Sequence, residues 1–187
     1  MWSELSGPAE AVAPRILGCL LVRELNGAQL VGRIVETEAY NQTDAASHSY
    51  RGRTPRTEVM FGPAGYLYVY FTYGMHYCMN VVCGLTGEGA AVLIRALEPI
   101  EGTPQMSINR GGRTGAQITN GPAKVCQALG VDRTLNGHNL TEPPLKLVLQ
   151  PPVSVDQVVQ TTRIGITQAI DQPWRFYIAG SPFISRS

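Results

Sequence analysis

Lysine is nearly missing from this chain of 187 residues: only Lys124 and Lys146 stand beside 13 arginines, and 15 basic residues meet 14 acidic ones for a net charge of +1. Charge of any kind is sparse, at 16% against 44% hydrophobic residues, which excludes wholesale disorder. Long apolar runs are absent too. The longest, Ile16 to Val22 between Arg15 and Arg23, is far too short to cross a bilayer. It also lies too deep, and lacks the small-residue cleavage pattern, for a secretion leader, so no membrane association is expected. The four cysteines (Cys19, Cys78, Cys83 and Cys126) contain no C-x-x-C pair and sit in apolar segments, as buried free thiols do. A chain of this length can bury roughly 70% of its unfolded surface, so it needs neither disulfide nor metal to hold a core.

Several catalytic signatures are missing as well. No G-x-x-x-x-G-K-[ST] run, G-x-S-x-G elbow or H-E-x-x-H helix occurs, and none of His48, His76 and His138 begins an H-x-E. A P-loop, a serine-nucleophile elbow, a zincin and a zinc deaminase are thereby excluded. No metal or cofactor is expected, and carboxylate chemistry becomes the leading option.

The elements that are present suggest an α+β fold, a single compact domain spanning 1–187 around an antiparallel sheet. Glu10 to Leu25 reads as a helix running into a strand, and Asn26-Gly27 is a strong hairpin turn leading to a strand from Gln29 to about Thr37. Gln42 to Pro63 is polar and Arg/Gly/Pro-rich, and so is expected to be a long ordered loop or a loop carrying a short helix. Tyr66 to Phe71 alternates strictly, with Tyr66, Tyr68 and Tyr70 on one face. Tyr77 to Val82 matches it as a hairpin partner, with Thr72-Tyr73-Gly74-Met75-His76 at the tip. A strand follows at Ala90–Leu97, then a polar glycine-rich stretch over Gly102–Gly121 and a helix over Pro122–Leu129 opened by proline. Short strands are expected at Leu145–Leu149, Val153–Val159, Arg163–Ile166 and Arg175–Ile178.

Two segments break the balance of charge. Ala45–Thr57 holds Arg51, Arg53 and Arg56 with no carboxylate, and Gly102–Val131 holds Arg110, Arg113 and Lys124, again with none. Clustered arginine suits bidentate contacts to phosphate, although two solvated loops would look the same. Just before the first segment, Glu36-Thr37-Glu38 places two carboxylates on one strand face about 6.5–7 Å apart, beside Tyr40, Asp44 and His48. Alone, such a pair suits an exposed strand end as well as a catalytic site.

The surrounding motifs change that weighting. Val-Glu-Thr-Glu-Ala-Tyr (35–40), Ser-His-Ser (47–49), Arg-Thr-Pro-Arg (53–56), Met-Phe (60–61), the block from Gly65 to Asn80, Leu-Ile-Arg-Ala-Leu-Glu-Pro (93–99), Asn-Gly-Pro-Ala-Lys (120–124) and Gly-Ser-Pro-Phe-Ile-Ser (180–185) occur in order. In these motifs the chain resembles the alkyladenine (3-methyladenine) DNA glycosylase family in its short prokaryotic form, over about residues 5 to 185. The resemblance implies a curved antiparallel sheet with a protruding hairpin, and an enzyme that flips a damaged purine out of double-stranded DNA and hydrolyses its N-glycosidic bond. It implies Glu38 as general base, with Arg95 holding the water and backbone near it. Tyr40 and Tyr70 would stack on the flipped base, His48 would hydrogen-bond it, and Asn80 would oppose the amino group of guanine. Tyr73 would enter the minor groove, with Met75 beside it at the tip. Arg51, Arg53, Arg56, Arg110, Arg113 and Lys124 would meet phosphates, Lys124 doing so in preference to acting as a Schiff-base nucleophile. A monomer is expected, acting in the cytoplasm on the nucleoid if the source is prokaryotic.

Plainer roles are expected elsewhere: a supporting or surface contact for Glu36, sheet packing for Tyr66 and Tyr68, and a core position for Cys78. Two other functions compete. A non-catalytic nucleic-acid-binding module of the same fold would tolerate loss of Glu38 or Tyr70, yet both are intact. A sugar O-glycosidase using Glu36 and Glu38 needs carboxylates on opposite faces of a bond, not side by side on one strand.

Overall fold

Alternation along each strand divides the side chains between a packed face and a cavity face, and the computed structural model, which describes residues 3–72 and 74–185, follows that division closely. Eight strands form one antiparallel sheet: β1 (Leu20–Leu25), β2 (Ala28–Tyr40), β3 (Leu67–Thr72), β4 (His76–Val82), β5 (Ala91–Glu101), β6 (Leu145–Val148), β7 (Val158–Thr161) and β8 (Arg175–Ile178). The order is β3-β4-β5-β2-β1-β6, and β8, carrying β7, pairs with the far end of β2 beyond the reach of β1. On the packed face, Leu30, Ile34, Leu67, Met79, Val81, Val92, Ile94 and Leu97 meet Val12 and Ile16 around α1 (Ala9–Arg15) and Val125 and Leu129 of α3 (Pro122–Leu129).

The turn at Asn26-Gly27 forms as expected. Both residues have positive φ (51° and 79°), and Leu25 pairs with Ala28 across a two-residue loop. The β3–β4 hairpin closes on the pair Thr72 and His76, and near its tip Phe71 and Met75 are 48% and 69% exposed. Tyr73, expected at this tip as the groove-entering residue, lies outside the described residues.

The main irregularity falls between β2 and β5. Ile34 pairs with Leu97 and Glu36 with Ala96, so Val35 is an extra residue on β2. Thr37 then pairs with Ile94, so Arg95 is an extra residue on β5. Each bulge shifts its strand's alternation by one residue and so exchanges the faces. Leu30 and Ile34 point to the core before the bulge, Ala39 after it; on β5 the core positions are Val92, Ile94 and then Leu97. Without this rephasing, Glu36 and Glu38 would continue the face of Ile34 and enter the hydrophobic core.

Three expectations change. Arg163–Ile166 is an irregular segment rather than a strand, because the amide of Ile164 bonds a side-chain carboxylate instead of a neighbouring strand. Val153–Val159 is mostly non-strand: a 3-10 turn at Val155–Gln157 precedes β7. The glycine-rich stretch after β5 contains α2 (Thr103–Asn109), started by a proline in its first turn and anchored by the buried Met106.

Gly102, before α2, has φ +73°, and a Cβ there would lie 2.5 Å from the Gln29 carbonyl oxygen and 2.6 Å from Leu30 Cδ2. Gly102→Ala should therefore cost more than about 1 kcal/mol of stability in urea unfolding, because strain and collision act together. A midpoint equal to wild type would show that β2 and β5 yield at this point.

Candidate active site

The face opposite the core, between β2, β3, β4 and β5, carries a cavity of about 510 Å³. Tyr68 and Tyr70 reach it from β3, Cys78 and Asn80 from β4, Leu93 and Arg95 from β5, and Tyr40 from the end of β2. The remaining wall comes from loops: Ala45, Ala46, His48 and Met60 on one side, and Ile164 to Gln168 on the other. Of the residues singled out in the sequence, Tyr40, His48, Tyr70, Asn80 and Arg95 thus converge on one cavity.

Glu38 lies immediately behind this lining and is fully buried. Its Oε2 accepts hydrogen bonds from the Tyr40 hydroxyl at 2.8 Å and Arg95 Nη1 at 3.1 Å, and its Oε1 accepts one from the amide of Ile164 at 2.8 Å. A carboxylate offers about four acceptor positions, so one on Oε1 is left. Arg95 Nε also reaches Glu36 Oε1 at 3.3 Å, so one guanidinium spans both carboxylates. Burial opposes the charge of Arg95, but Glu38 and Glu36 outweigh it and keep the guanidinium firmly protonated.

Glu36 fills the supporting role expected of it. Its Oε1 takes Arg175 Nε at 2.6 Å and Ser185 Oγ at 2.8 Å, and its Oε2 takes the Ser185 amide. Its carboxylate is enclosed by Arg95, Arg175 and Ser185 and stands beside Glu38 on one strand, not across a bond from it, which disfavours the paired acid and base of a sugar O-glycosidase.

His48 stands at the rim, partly open to solvent, with its imidazole set among Tyr68, Tyr70 and Arg56. Arg56 Nη2 can only donate, so His48 Nε2 accepts at 3.4 Å, and the neutral ring then donates from Nδ1 to the Tyr68 hydroxyl at 3.0 Å. Burial of the ring and then the charge of Arg56 push its pKa from 6.5 to about 4. The ring meets Tyr70 edge-on at 4.5 Å between centroids. Burial raises the pKa values of the Tyr40, Tyr68 and Tyr70 hydroxyls, and that of the Cys78 thiol, so these groups stay neutral.

The basic residues divide. Arg56 sits at the cavity mouth, 5.9 Å from the Tyr70 centroid, while Arg53 lies over Phe61 and pairs with Glu58 at 3.2 Å. Arg51 and Arg113 are exposed, with no ion pair among the described residues. Arg110 is spent internally, donating to the carbonyls of Ile118 and Gln117 and to the side chain of Gln127. Lys124 donates to Asn120 Oδ1 at 2.7 Å beside a second, polar hollow lined by Thr114, Gln117 and Pro182. Burial, and then Arg110 and Arg113, lower the pKa of Lys124.

Sequence reasoning missed four contributors. Tyr68, expected to pack on the sheet, and Cys78, expected in the core, are buried yet face the cavity; strand alternation from Tyr70 and Asn80 could have revealed both. The segment Ile164–Gln168 and the buried pair Asp44–Arg163 carried no local signal, because loop closure brings them together from more than a hundred residues apart.

A buried, arginine-held carboxylate behind an aromatic cavity on an antiparallel sheet can be compared with known proteins. Residues 3–182 match the family model of methylpurine-DNA glycosylase (MPG). A protein of Carboxydothermus hydrogenoformans, provisionally named 3-methyladenine DNA glycosylase, is 52% identical over 176 residues, covering 94% of this chain and 92% of its own length. Proteins with the same provisional name from Methanoculleus marisnigri and Nitrosospira multiformis are 50% and 46% identical over 178 and 183 residues. The chain belongs to the methylpurine-DNA glycosylase family, whose enzymes act in DNA repair.

The His48 arrangement has a measurable consequence. Followed by 15N–1H NMR, the ring should stay neutral from pH 8 to pH 5. Arg56→Ala removes a neighbouring cation and should raise its titration midpoint. A wild-type midpoint near 6.5 would contradict the placement of the ring among Tyr68, Tyr70 and Arg56.

Proposed function

We propose that this protein excises alkylated or otherwise damaged purines from double-stranded DNA, hydrolysing the N-glycosidic bond of a flipped nucleotide without forming a covalent intermediate. The observation that carries this reading is the Glu38 carboxylate, fully buried and held by Tyr40, Arg95 and Ile164 behind a cavity of about 510 Å³ walled by Tyr40, Tyr68, Tyr70 and His48.

The chemistry follows from those parts. A water on the unused Oε1 position attacks C1′ while the C1′–N bond breaks. The bonding electrons pass to the purine, and the water proton to Glu38. The transition state is oxocarbenium-like, and a positioned base contributes ~10²–10⁴-fold. An alkylated purine is already cationic, so bond cleavage neutralises it and needs little acid. This suits a cavity whose tyrosines, thiol and imidazole are all held neutral. Electron-poor bases stack well on aromatic rings, which assigns Tyr40 and Tyr70 to the flipped base. Asn80, anchored to the Tyr68 carbonyl at 3.2 Å, crowds a purine that carries an extra amino group.

Flipping costs a few kcal/mol, least for a damaged base, and the exposed hairpin tip around Met75 is suited to enter the minor groove and offset it. Arg51, Arg53, Arg56, Arg113 and Lys124 form the phosphate-facing surface; Arg110, expected among them, is turned to the Ile118 and Gln117 carbonyls and Gln127 instead. The Lys124 ammonium, held on Asn120 at the separate polar hollow, fits a phosphate contact better than an attack on C1′.

Release of free 3-methyladenine from methylated duplex DNA tests the reading. Glu38→Gln should lower excision by at least ~10²-fold while lesion binding stays within a few-fold. Excision at the wild-type rate would remove Glu38 as the base. Binding should weaken steeply with salt, and Arg113→Ala should lower the log–log slope by about 0.9 on damaged and undamaged DNA alike. A flat salt response would make the basic loops a solvated surface.

A further inference from the structure

The cavity wall formed by residues 162–170 has no regular secondary structure, yet it supplies one of the three hydrogen bonds on Glu38. Arg163 holds it in place. Its side chain is fully buried, and its two terminal nitrogens fork onto the equally buried carboxylate of Asp44, with Nη2 to Oδ1 at 3.0 Å. The same nitrogens donate to the carbonyl oxygens of Ala39 at 2.9 Å and Ala169 at 3.3 Å. The guanidinium plane stands 4.7 Å from the centroid of Tyr40 and 5.2 Å from that of Trp174.

One residue therefore ties together three pieces of the site. Ala39 and Tyr40 end β2. Asp44, whose Oδ1 also accepts from the Ala46 amide at 3.0 Å, anchors the loop that carries His48 and the clustered arginines. Ala169 belongs to the opposite wall. The residue after Arg163 is Ile164, whose amide meets Glu38 Oε1 at 2.8 Å. Fixing the guanidinium thus fixes a donor one peptide away, and backs the Tyr40 ring whose hydroxyl occupies the other oxygen of Glu38.

We propose that Arg163 is a positioning residue for excision: its fork on Asp44 locks the 162–170 segment so that Ile164 and Tyr40 hold the Glu38 carboxylate in its reactive orientation. The proposal rests on Glu38 being the base. Arg163 reaches neither substrate nor phosphate; it acts through the geometry of Glu38. A planar fork with five fixed donors can meet Asp44, two carbonyls and two rings at once, whereas the point charge of lysine cannot. Misplacement of a reacting group by about 1 Å can cost ~10²-fold in rate.

Single-turnover excision from methylated duplex DNA with enzyme in excess tests this in Arg163→Lys, Glu38→Gln and the double variant. Arg163→Lys should excise at least about ten-fold more slowly, with the Kd for undamaged duplex within two-fold of wild type, because the buried guanidinium touches no DNA. In the Glu38→Gln background the lysine substitution should cost nothing further, since the group it positions is gone. A merely structural role would slow the double variant again by the same factor. A folded Arg163→Lys enzyme excising within two-fold of wild type overturns the proposal, as does a full additional loss in the double variant. Where the lysine variant does not fold, Asp44→Asn keeps the size and loses only the charge, and the same outcomes decide. Wild-type excision by Glu38→Gln would instead overturn the assignment of the base, and this proposal with it, while loss in Glu38→Gln beside normal excision in Arg163→Lys refutes the positioning role alone.

Discussion

Two opposed bulges, at Val35 on β2 and Arg95 on β5, are the constraint on which the rest of the site depends. They move the alternation of both strands by one residue, so that Glu36, Arg95 and Glu38 leave the core face together. Once there, two fully buried carboxylates must be kept charged where an uncompensated charge costs several kcal/mol. Arg95 and Arg175 balance them, and the hydroxyl and amide of Ser185 fill further acceptor positions on Glu36. The C-terminal segment and β8 therefore belong to the site, although they touch no part of the cavity.

The two carboxylates share an arginine and differ in everything else. Glu36 is enclosed by cations and by Ser185, and acts as the anchor that aims Arg95. Glu38 receives one cation, one hydroxyl and one amide, and abuts the cavity lining. Environment thus separates two identical side chains two residues apart into one enclosed by cations and one, the proposed base, set against the cavity lining. The aromatic wall of the cavity is kept neutral: burial raises the tyrosine and thiol pKa values, and burial of the ring, then the charge of Arg56, lowers that of His48. Arg95, in the lining, is balanced by Glu36 and Glu38, while Arg56 stands at the mouth and other basic residues on the flanking loops. That division is what the proposed reaction asks for: a surface that meets the DNA polyanion and an interior that takes a cationic purine.

Much of this was legible in the chain. Period-two alternation located β3 and β4 and assigned Tyr68 and Tyr70 to one face, Asn26-Gly27 marked its hairpin, and Pro122 marked the start of α3, because each depends on backbone geometry set within a few residues. The motif around Glu36 and Glu38, with its tyrosine and histidine, pointed to a carboxylate site and to a family, and the family match agrees. What the residues alone could not decide was which way those carboxylates face. A bulge is a property of two paired strands, and Val35 and Arg95 are 60 positions apart. The same holds for Asp44 with Arg163, for Glu36 with Ser185, and for the wall at Ile164, which read as a strand but spends its amide on Glu38. Local sequence determined the elements and the chemistry they carry. Tertiary structure decided which charges are buried together, because the desolvation that makes each pairing obligatory exists only once the distant partners have closed over it.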